Sequence, residues 1–267
     1  MTRIDFSVLD FDPEAFTAKI IGNLRAAAQD SLKKRGAVVG ISGGIDSAVV
    51  TALCARAFGP DKVLGLLMPE RHSSSETLEL SRSVAASQGV TAELEEITGL
   101  LDAAGCYRRQ DEAVRQVVPE YGPGCKFKIV LPSVVDDDRY RIYSVVVLLP
   151  DGKEIRRRMP VGAYLQVVAA TNFKQRCRKM LEYYHADRLN YAVAGTPNRL
   201  EYDQGFFVKG GDGLADFKPI AHLYKSQVYK MAEYLGVPAA IRARPPTTDT
   251  YSLSQGQDEF YFSLPYA

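Results

Sequence analysis

The segment that most constrains the fold of this chain runs from Val38 to Ala48, where an apolar run, a glycine turn and a second apolar run follow one another. Residues Ala37 to Ile41 predict a buried strand, and the apolar residues after Ser47 predict a helix. Gly43 and Gly44 suit a tight turn in which the backbone N–H groups point outward. Because such a turn and the helix N-terminus both attract anions, the segment predicts an α/β fold with a phosphate site.

The side chains of this loop indicate what kind of phosphate site it is. Ser42 and Ser47 add hydroxyl donors, but the Gly-Lys-Ser/Thr ending of a Walker loop is absent. Asp46 stands where that lysine would be expected. A carboxylate beside phosphates is stable when it holds a divalent cation, so the loop indicates magnesium. The competing interpretation is an ordinary glycine-rich turn between a strand and a helix.

Strands and helices alternate along most of the chain. This order predicts a parallel twisted sheet with helices on both faces, and a nucleotide would bind beyond the carboxyl ends of its strands. The predicted strands, besides the one before the loop, are Val63–Met68, Thr91–Ile97 and Leu189–Ala194. The predicted helices, besides the one after the loop, are Pro13–Lys34, Glu76–Gln88, Leu165–Tyr184 and Lys225–Leu235.

The pattern changes between residues 126 and 159. Residues 126–131 and 140–149 are rich in β-branched and aromatic side chains and predict an antiparallel β-hairpin or three-stranded meander inserted into the α/β frame. Asp136 to Asp138 between them are metal ligands or, the favoured interpretation, a solvated turn. Arg156 to Arg158 are a patch for phosphate or nucleic acid or, again favoured, an exposed side of a strand. We expect one domain over residues 1–267 that includes this insertion.

Composition and charge argue against several classes of protein. The net charge of +1 among 267 residues gives no reason to expect nucleic acid as a partner, and no apolar run approaches a membrane span. Cys54, Cys106, Cys125 and Cys177 are widely spaced without a C-x-x-C pair, which is typical of reduced thiols in a cytoplasmic protein. We therefore expect a soluble α/β enzyme in the cytoplasm.

Motifs in the second half point to a family. Residues 195–201 read Gly-Thr-Pro-Asn-Arg-Leu-Glu, and residues 205–216 read Gly-Phe-Phe-Val-Lys-Gly-Gly-Asp-Gly-Leu-Ala-Asp. Leu-Tyr-Lys-Ser-Gln at 223–227 and Pro-Thr-Thr-Asp at 246–249 follow. Together with Ser-Gly-Gly-Ile-Asp-Ser at 42–47, these motifs resemble those of the ammonia-dependent NAD synthetases, which belong to the ATP pyrophosphatases that adenylate their substrates.

The resemblance implies a fold and a reaction. The fold is the adenine nucleotide α-hydrolase-like one. The reaction adenylates the nicotinate carboxylate of deamido-NAD, and ammonia then displaces AMP to give NAD, AMP and pyrophosphate. It also implies a homodimer, with the helices Pro13–Lys34 and Leu165–Tyr184 as candidate interface surfaces. Only about 40 residues precede the loop, so the use of glutamine would require a separate glutaminase.

The resemblance assigns roles to residues that match the family motifs. Asp46 and Lys225 would be catalytic, and Asp46 and Glu201 would hold Mg²⁺. Arg176, Lys209 and Asp216 would contact deamido-NAD. The residues that would bind ATP are Gly40, Ile41, Ser42, Gly43, Gly44, Ile45, Asp46, Ser47, Thr196, Lys225 and Thr247.

The chain departs from the family pattern in several places. Gln175 and Lys179 replace the usual alanine and methionine, and Leu214 replaces a glycine beside Asp216. The family also continues beyond the position of Ala267 with a tail that contributes a His-Lys pair to the substrate. We therefore expect a missing tail or a substrate that is enclosed differently.

Three other functions compete with NAD synthesis. The same adenylation could act on another carboxylate, such as a sugar acid or secondary metabolite. A tRNA-modifying enzyme of the same superfamily would need a catalytic cysteine pair or a basic extension, which the near-neutral charge disfavours. A catalytically silent scaffold is disfavoured because Asp46, Glu201 and Lys225 are all present.

Overall fold

The computed structural model describes residues 9–131, 143–245 and 250–253. Its contacts divide the chain into two compact units. The first contains Met1–Met68, Ser75–Glu96 and Arg178–Arg244, and the second contains Pro69–Ser74, Ile97–Cys177 and Pro245–Ala267. The expectation of a single domain over residues 1–267 stays a prediction.

The first unit contains a four-stranded parallel sheet in the order β3-β2-β1-β7. Its strands are β1 (Ala37–Gly40), β2 (Val63–Leu67), β3 (Thr91–Leu94) and β7 (Ala192–Ala194). Ala37 of the central strand β1 pairs with Val63 on one side and with Ala192 on the other. Since β1 and β7 are neighbours and parallel, the segments that follow them emerge at the same edge of the sheet.

Both faces of β1, β2 and β7 are buried, as expected for parallel strands, whereas the edge strand β3 is largely exposed. Val39 packs in the main hydrophobic core together with Val49 and Leu53 of the following helix. Val38 and Leu66, which point to the opposite face, are also completely buried. The predicted α/β architecture is therefore confirmed for this unit.

Helices connect the strands along the chain. The helix after the glycine turn is buried almost along its whole length, as its alanine- and valine-rich sequence predicts. The helices of the chain are α1 (Pro13–Arg25), which continues as a π-helical segment (Ala26–Ser31), α2 (Ile45–Phe58), a 3₁₀ turn (Pro60–Lys62), α3 (Ser75–Ser87), α4 (Thr98–Ala103), α5 (Cys106–Val117), α6 (Val161–Leu189), α7 (Arg199–Gln204), α8 (Lys225–Tyr234) and α9 (Ala239–Ala243). No helix in the described part of the chain is both long and apolar enough to cross a membrane.

The second unit contains a three-stranded antiparallel sheet in the order β4-β5-β6. Its strands are β4 (Lys126–Val130), β5 (Ser144–Leu148) and β6 (Glu154–Arg158). Phe127 and Val147 on its inner face pack in a second hydrophobic cluster with Val114 of α5. The predicted meander is confirmed, whereas residues 136–138 lie outside the described residues.

Several predicted boundaries need correction. The strand expected at Leu189–Ala194 covers only Ala192–Ala194, because α6 continues to Leu189. The strand expected at Thr91–Ile97 ends at Leu94, and α4, α5, α7 and α9 were not predicted. Arg156 to Arg158 form an exposed part of β6, which is an edge strand. Arginine at an edge strand discourages pairing with another chain.

Candidate active site

The glycine turn links the carboxyl end of β1 to the N-terminus of α2. Gly43 has φ +73°, and a Cβ at this position would lie 2.9 Å from the Thr77 carbonyl oxygen, so the turn requires glycine there. The backbone N–H groups of the turn differ from the expectation. Ser42 N–H donates to Ser47 Oγ at 3.2 Å, and Gly44 N–H donates to Ser42 Oγ at 3.3 Å. The outward orientation expected for the whole turn is therefore wrong for these two groups.

Asp46 lies in the first turn of α2 and contacts groups from two other segments. Its Oδ2 accepts a hydrogen bond from Lys225 Nζ at the start of α8, and Asn198 Nδ2 donates to its Oδ1 at 3.2 Å. Burial lowers the pKa of the Lys225 ammonium, but the negative charge of Asp46 overrides this and the net pKa is raised. Lys225 therefore stays protonated beside the loop.

Glu201 belongs to the same group of side chains. Asn198 caps α7: its Oδ1 accepts from the backbone N–H groups of Leu200 at 3.0 Å and Glu201 at 3.2 Å. Glu201 Oε2 in turn accepts from Asn198 N–H at 2.9 Å, which completes a capping box. Burial, and secondly the negative charge of Asp46, raise the pKa of the Glu201 carboxyl to about 8, although Lys225 opposes the rise.

The donor set fits magnesium. Two carboxyl groups, Asp46 and Glu201, are close enough for one charge to act on the other, and when both are ionised the single ammonium of Lys225 leaves one negative charge for a cation to compensate. Mg²⁺ prefers oxygen ligands and is commonly held by one or two carboxylates together with substrate phosphates. The assignment of these two residues as metal ligands remains a prediction.

A second group of metal-binding residue types lies elsewhere in the first unit. Ligand atoms of Glu93, Glu95 and His185 lie within 4.8 Å of one another. However, His185 Nε2 is 2.9 Å from Glu95 Oε1, and His185 Nδ1 accepts from Arg188 Nε at 3.0 Å. Arg188 also donates to Glu93 Oε1 at 2.7 Å. Since Arg188 already bonds to Glu93 and to His185 Nδ1, and His185 Nε2 lies against Glu95, these contacts form a network of ion pairs and hydrogen bonds.

The remaining predicted ATP residues are placed only in part. Thr196 directly follows Gly195 at the end of β7, which is the edge of the sheet where the turn after β1 also emerges. Gly195 is required there, because a Cβ would lie 2.8 Å from the Cβ of Ala215. Thr247 lies outside the described residues.

The predicted substrate residues have different surroundings. Arg176 is exposed on the part of α6 that belongs to the second unit, and Lys209 is exposed in the loop 205–216 of the first unit. Asp216 has a partner that the sequence did not predict: its Oδ2 accepts from the Val193 N–H of β7 at 2.7 Å. Tyr183 OH donates to Asp216 Oδ1 at 3.3 Å. The Asp216 carboxylate thus holds the strand β7 through a backbone hydrogen bond.

Sequence reasoning missed one residue of the site. Asn198 bridges Asp46 and Glu201 by direct hydrogen bonds and is 2% exposed. A local signal was available, because an asparagine three residues before a glutamate is the signature of a capping box. The signal indicates the helix start and the bond to Glu201, but the bond to Asp46 depends on the tertiary fold.

Comparisons with known proteins indicate the family of this chain. The family model described as NAD synthase matches residues 18–118 and 152–267. A protein of Mesorhizobium japonicum named NH(3)-dependent NAD(+) synthetase is 60% identical over 97% of this chain and 81% of its own length. Its namesake in Rhizobium meliloti is 59% identical over 99% of this chain and 79% of its own length.

Solved structures show a related fold. The NH3-dependent NAD synthetase of Campylobacter jejuni, in complex with the nitrate ion, superposes with a TM-score of 0.61 at 26% identity, over 87% of this chain and 77% of its own. An NMN synthetase of Francisella tularensis gives a TM-score of 0.67 at 23% identity, over 93% of this chain and 81% of its own, which shows the fold alone. The family match and the two close relatives establish that this chain belongs to the NAD synthase family.

Proposed function

We propose that this protein is a ligase that uses ATP to adenylate the nicotinate carboxylate of deamido-NAD and then forms the amide with ammonia. The products are NAD, AMP and pyrophosphate. The observation that carries the proposal is the convergence of Asp46, Lys225, Asn198 and Glu201 beside the glycine turn of β1. Relatives that are about 60% identical over almost the whole chain and are named NH(3)-dependent NAD(+) synthetase support the acceptor and the nitrogen source.

The chemistry explains why these residue types are needed. A carboxylate is a poor electrophile because its leaving group would be an oxide ion, whereas an acyl adenylate releases AMP when ammonia attacks. The protein positions the two substrates and compensates the charge on the phosphates. Bound Mg²⁺ would supply charge compensation to the phosphate oxygens, with Asp46 and Glu201 as its protein ligands.

The protein's own groups have separate tasks in this scheme. The turn from Gly40 to Ser47 binds the pyrophosphate part of ATP, and the N-terminus of α2 adds its partial positive charge. Lys225 provides a fixed positive charge for the phosphates because Asp46 holds it at the turn. Thr196 and Thr247 complete the ATP site, and the residues that bind deamido-NAD are Arg176, Lys209 and Asp216.

A different acceptor carboxylate is not favoured. Close relatives over nearly the full length of this chain carry the name of a NAD synthetase, and no described contact indicates a sugar acid or another metabolite. Leu214, which replaces the usual glycine beside Asp216, is 44% exposed in the loop 205–216. An exposed leucine alone is normal at a protein surface.

A product analysis tests the proposed function. The full chain is incubated with ATP, magnesium, deamido-NAD and ¹⁵N-labelled ammonium, and the amide is identified by mass spectrometry. We expect ¹⁵N-labelled NAD and AMP in equal amounts, and no NAD from the Asp46→Asn variant. AMP formation with a sugar acid but not with deamido-NAD would replace the proposed acceptor. Labelled glutamine replaces ammonium in a parallel reaction, which shows whether a separate glutaminase is needed.

We also propose that the protein is a homodimer in the cytoplasm. Large apolar side chains are exposed on α6, where Met180 is 55% and Tyr184 60% exposed, and such exposed groups favour an interface. None of the four cysteines, all of which lie in the described part of the chain, forms a disulfide, which suits a reducing compartment. Light scattering at micromolar concentration is expected to give twice the chain mass of 29.4 kDa. Met180→Glu should halve that value, and a wild-type monomer would overturn the proposed dimer.

A further inference from the structure

A buried ion pair lies beside the last residue of β1, where the phosphate loop begins. Lys179 Nζ is 2.5 Å from Glu182 Oε2 on the next turn of α6, and the two side chains are 6% and 8% exposed. The second carboxylate oxygen, Glu182 Oε1, lies against Gly40: a Cβ on this glycine would be 2.9 Å from it. A charged and almost fully buried side chain therefore contacts the backbone from which the loop starts.

Other charged groups surround the pair. Burial raises the pKa of the Glu182 carboxyl, and Lys179 and Arg178 oppose this rise whereas Asp212 adds to it. Burial also raises the pKa of Asp212, and the positive charge of Lys179 opposes that rise too. Asp212 Oδ1 accepts from Val208 N–H at 2.7 Å within the loop 205–216. Lys179 thus interacts with carboxylates on α6 and on this loop.

We infer that the pair of Lys179 and Glu182 positions the phosphate loop for ATP. Glu182 packs against the backbone at Gly40 through one carboxylate oxygen, and Lys179 pairs with the other oxygen and so holds this contact. The inference rests on the proposed function in taking ATP as the ligand of the loop. Both residues act through Gly40, so they are positioning residues.

Two physical effects give this pair its influence. A buried ion pair that loses one partner leaves an uncompensated charge, and that charge moves toward water or another cation. A loop that binds phosphates through backbone N–H groups depends on their placement, since a shift of about 1 Å in a bound group can change rates by about a hundredfold. Loss of Lys179 should therefore release Glu182 and shift the start of the loop at Gly40.

The test begins with Lys179→Met, which has similar length and no charge. We expect the Kd of Mg·ATP, measured by calorimetry on the full chain, to rise by about tenfold or more. The KM for ATP should rise in parallel, while the KM for deamido-NAD changes by less than about twofold. If Lys179→Met does not fold, Glu182→Gln carries the same test, because it also removes one charge of the pair. Lys179→Arg keeps the charge and should restore part of the affinity.

A second pair of variants tests the contact between Glu182 and Gly40 itself. Gly40→Ala introduces a Cβ that clashes with Glu182 Oε1, so ATP affinity should fall. In the double variant Gly40→Ala/Glu182→Ala the new methyl group enters the space that the shortened side chain leaves. We expect Gly40→Ala to cost less ATP affinity in the Glu182→Ala background than in the wild type, so the two costs are compared as a double-mutant cycle. An equal cost in both backgrounds would contradict the proposed contact.

A matched control separates positioning from stability. Ile241→Ala removes a buried side chain of α9 that is 1% exposed and has no part in the site. It should lower the thermal midpoint as Lys179→Met does, but leave the Kd of ATP unchanged. If both variants lower the midpoint and neither changes the Kd, the pair only stabilises the fold and the inference is overturned. A wild type that binds ATP but does not amidate deamido-NAD would overturn the proposed acceptor alone.

Discussion

Two lysine–carboxylate pairs in this protein differ in how completely they are enclosed. In the first unit, Lys225 and Asp46 form a pair whose side chains are 9% and 18% exposed at the edge of the parallel sheet. In the second unit, Lys174 and Glu70 form a pair 2.8 Å apart whose side chains are 2% and 0% exposed. We refer to them as the open pair and the closed pair. Both join a helix residue to a distant part of the chain.

The closed pair has a partner for each of its polar groups. Lys174 Nζ donates to Glu70 Oε1 and to the Thr250 carbonyl, each at 2.8 Å, and lies 3.0 Å from His72 Nδ1. Tyr107 OH donates to Glu70 Oε2 at 2.6 Å. Burial and, secondly, the charge of Lys174 lower the pKa of His72 to about 4, so this ring is neutral near pH 7. The cluster therefore carries one positive and one negative charge.

The open pair lies beside a third ionisable group. Burial and, secondly, the negative charge of Asp46 raise the pKa of the Glu201 carboxyl, so the surroundings disfavour a second negative charge there. A bound cation would compensate that charge and favour ionisation of Glu201. The comparison indicates that the additional carboxyl group, and not the ion pair itself, distinguishes the candidate cation site from the closed pair.

The largest expected effect is on the open pair. Asp46→Asn removes a charge without changing size, and we expect the rate of AMP formation to fall by roughly a thousandfold, or about 4 kcal/mol of activation free energy. Glu201→Gln should act in the same direction. Circular dichroism should show an unchanged fold in both variants. A variant that keeps more than about a tenth of wild-type turnover, a loss below about 1.4 kcal/mol, would exclude its residue as a metal ligand.

The control for this prediction is a carboxylate on the same helix as Glu201. Asp203 of α7 is half exposed and pairs with Arg199 at 3.4 Å, two residues from Glu201. Exposed ion pairs contribute little to stability, so Asp203→Asn should keep wild-type turnover. A comparable loss in Asp203→Asn would show that any change in the charge of α7 impairs the enzyme.

The second prediction compares the two lysines. Lys174→Met leaves Glu70 buried without its cation, and we expect the free energy of unfolding in urea to fall by about 3 kcal/mol or more. Lys225→Met should reduce turnover more strongly and stability less, because its site is closer to solvent. The double variant Glu70→Gln/Lys174→Met removes both charges and should recover part of the lost stability. Equal stability losses in both lysine variants would refute the distinction between the pairs.

Local sequence patterns were sufficient for much of the fold. The strand, turn and helix from Ala37 to Phe58 could be predicted because apolar period, glycines and helix start are all encoded within a few residues. Two strands of the antiparallel sheet could be predicted from β-branched and aromatic residues and from the turns beside them, whereas the third strand was only one of two alternatives. The end of α6 was missed, because Leu189 suits a helix and a strand equally well by its apolar character.

Long-range contacts account for what the sequence could not predict. Lys174 and Glu70 are 104 residues apart, and no periodicity indicates that they meet. The bond from Asn198 to Asp46 spans 152 residues. Asp216 was predicted as a substrate residue from its motif alone, whereas its bond to Val193 follows from the position of β7. The motifs indicated which residues belong to the candidate site, but only the fold shows which residues they bond to.

The smallest expected effect concerns two predicted substrate residues. One of them is exposed, and the other is bonded to the parallel sheet. Lys209 is exposed and Asp216 accepts from a strand N–H. Lys209→Ala removes one charge-assisted hydrogen bond to deamido-NAD, so the affinity for this substrate should fall by about 1.5–3 kcal/mol, or roughly ten- to hundredfold. ATP affinity and thermal stability should remain as in wild type.

Asp216 requires a different substitution, because Asp216→Ala would leave the Val193 N–H without an acceptor. Asp216→Asn keeps an oxygen for that bond and removes the charge, so it separates the two tasks of the residue. We expect weaker deamido-NAD binding with a small change in thermal midpoint for Asp216→Asn, and both effects for Asp216→Ala. Calorimetry with deamido-NAD and differential scanning fluorimetry measure the two quantities. If Asp216→Asn binds deamido-NAD like wild type while Asp216→Ala is destabilised, then Asp216 belongs to the scaffold alone and Lys209 remains the predicted contact.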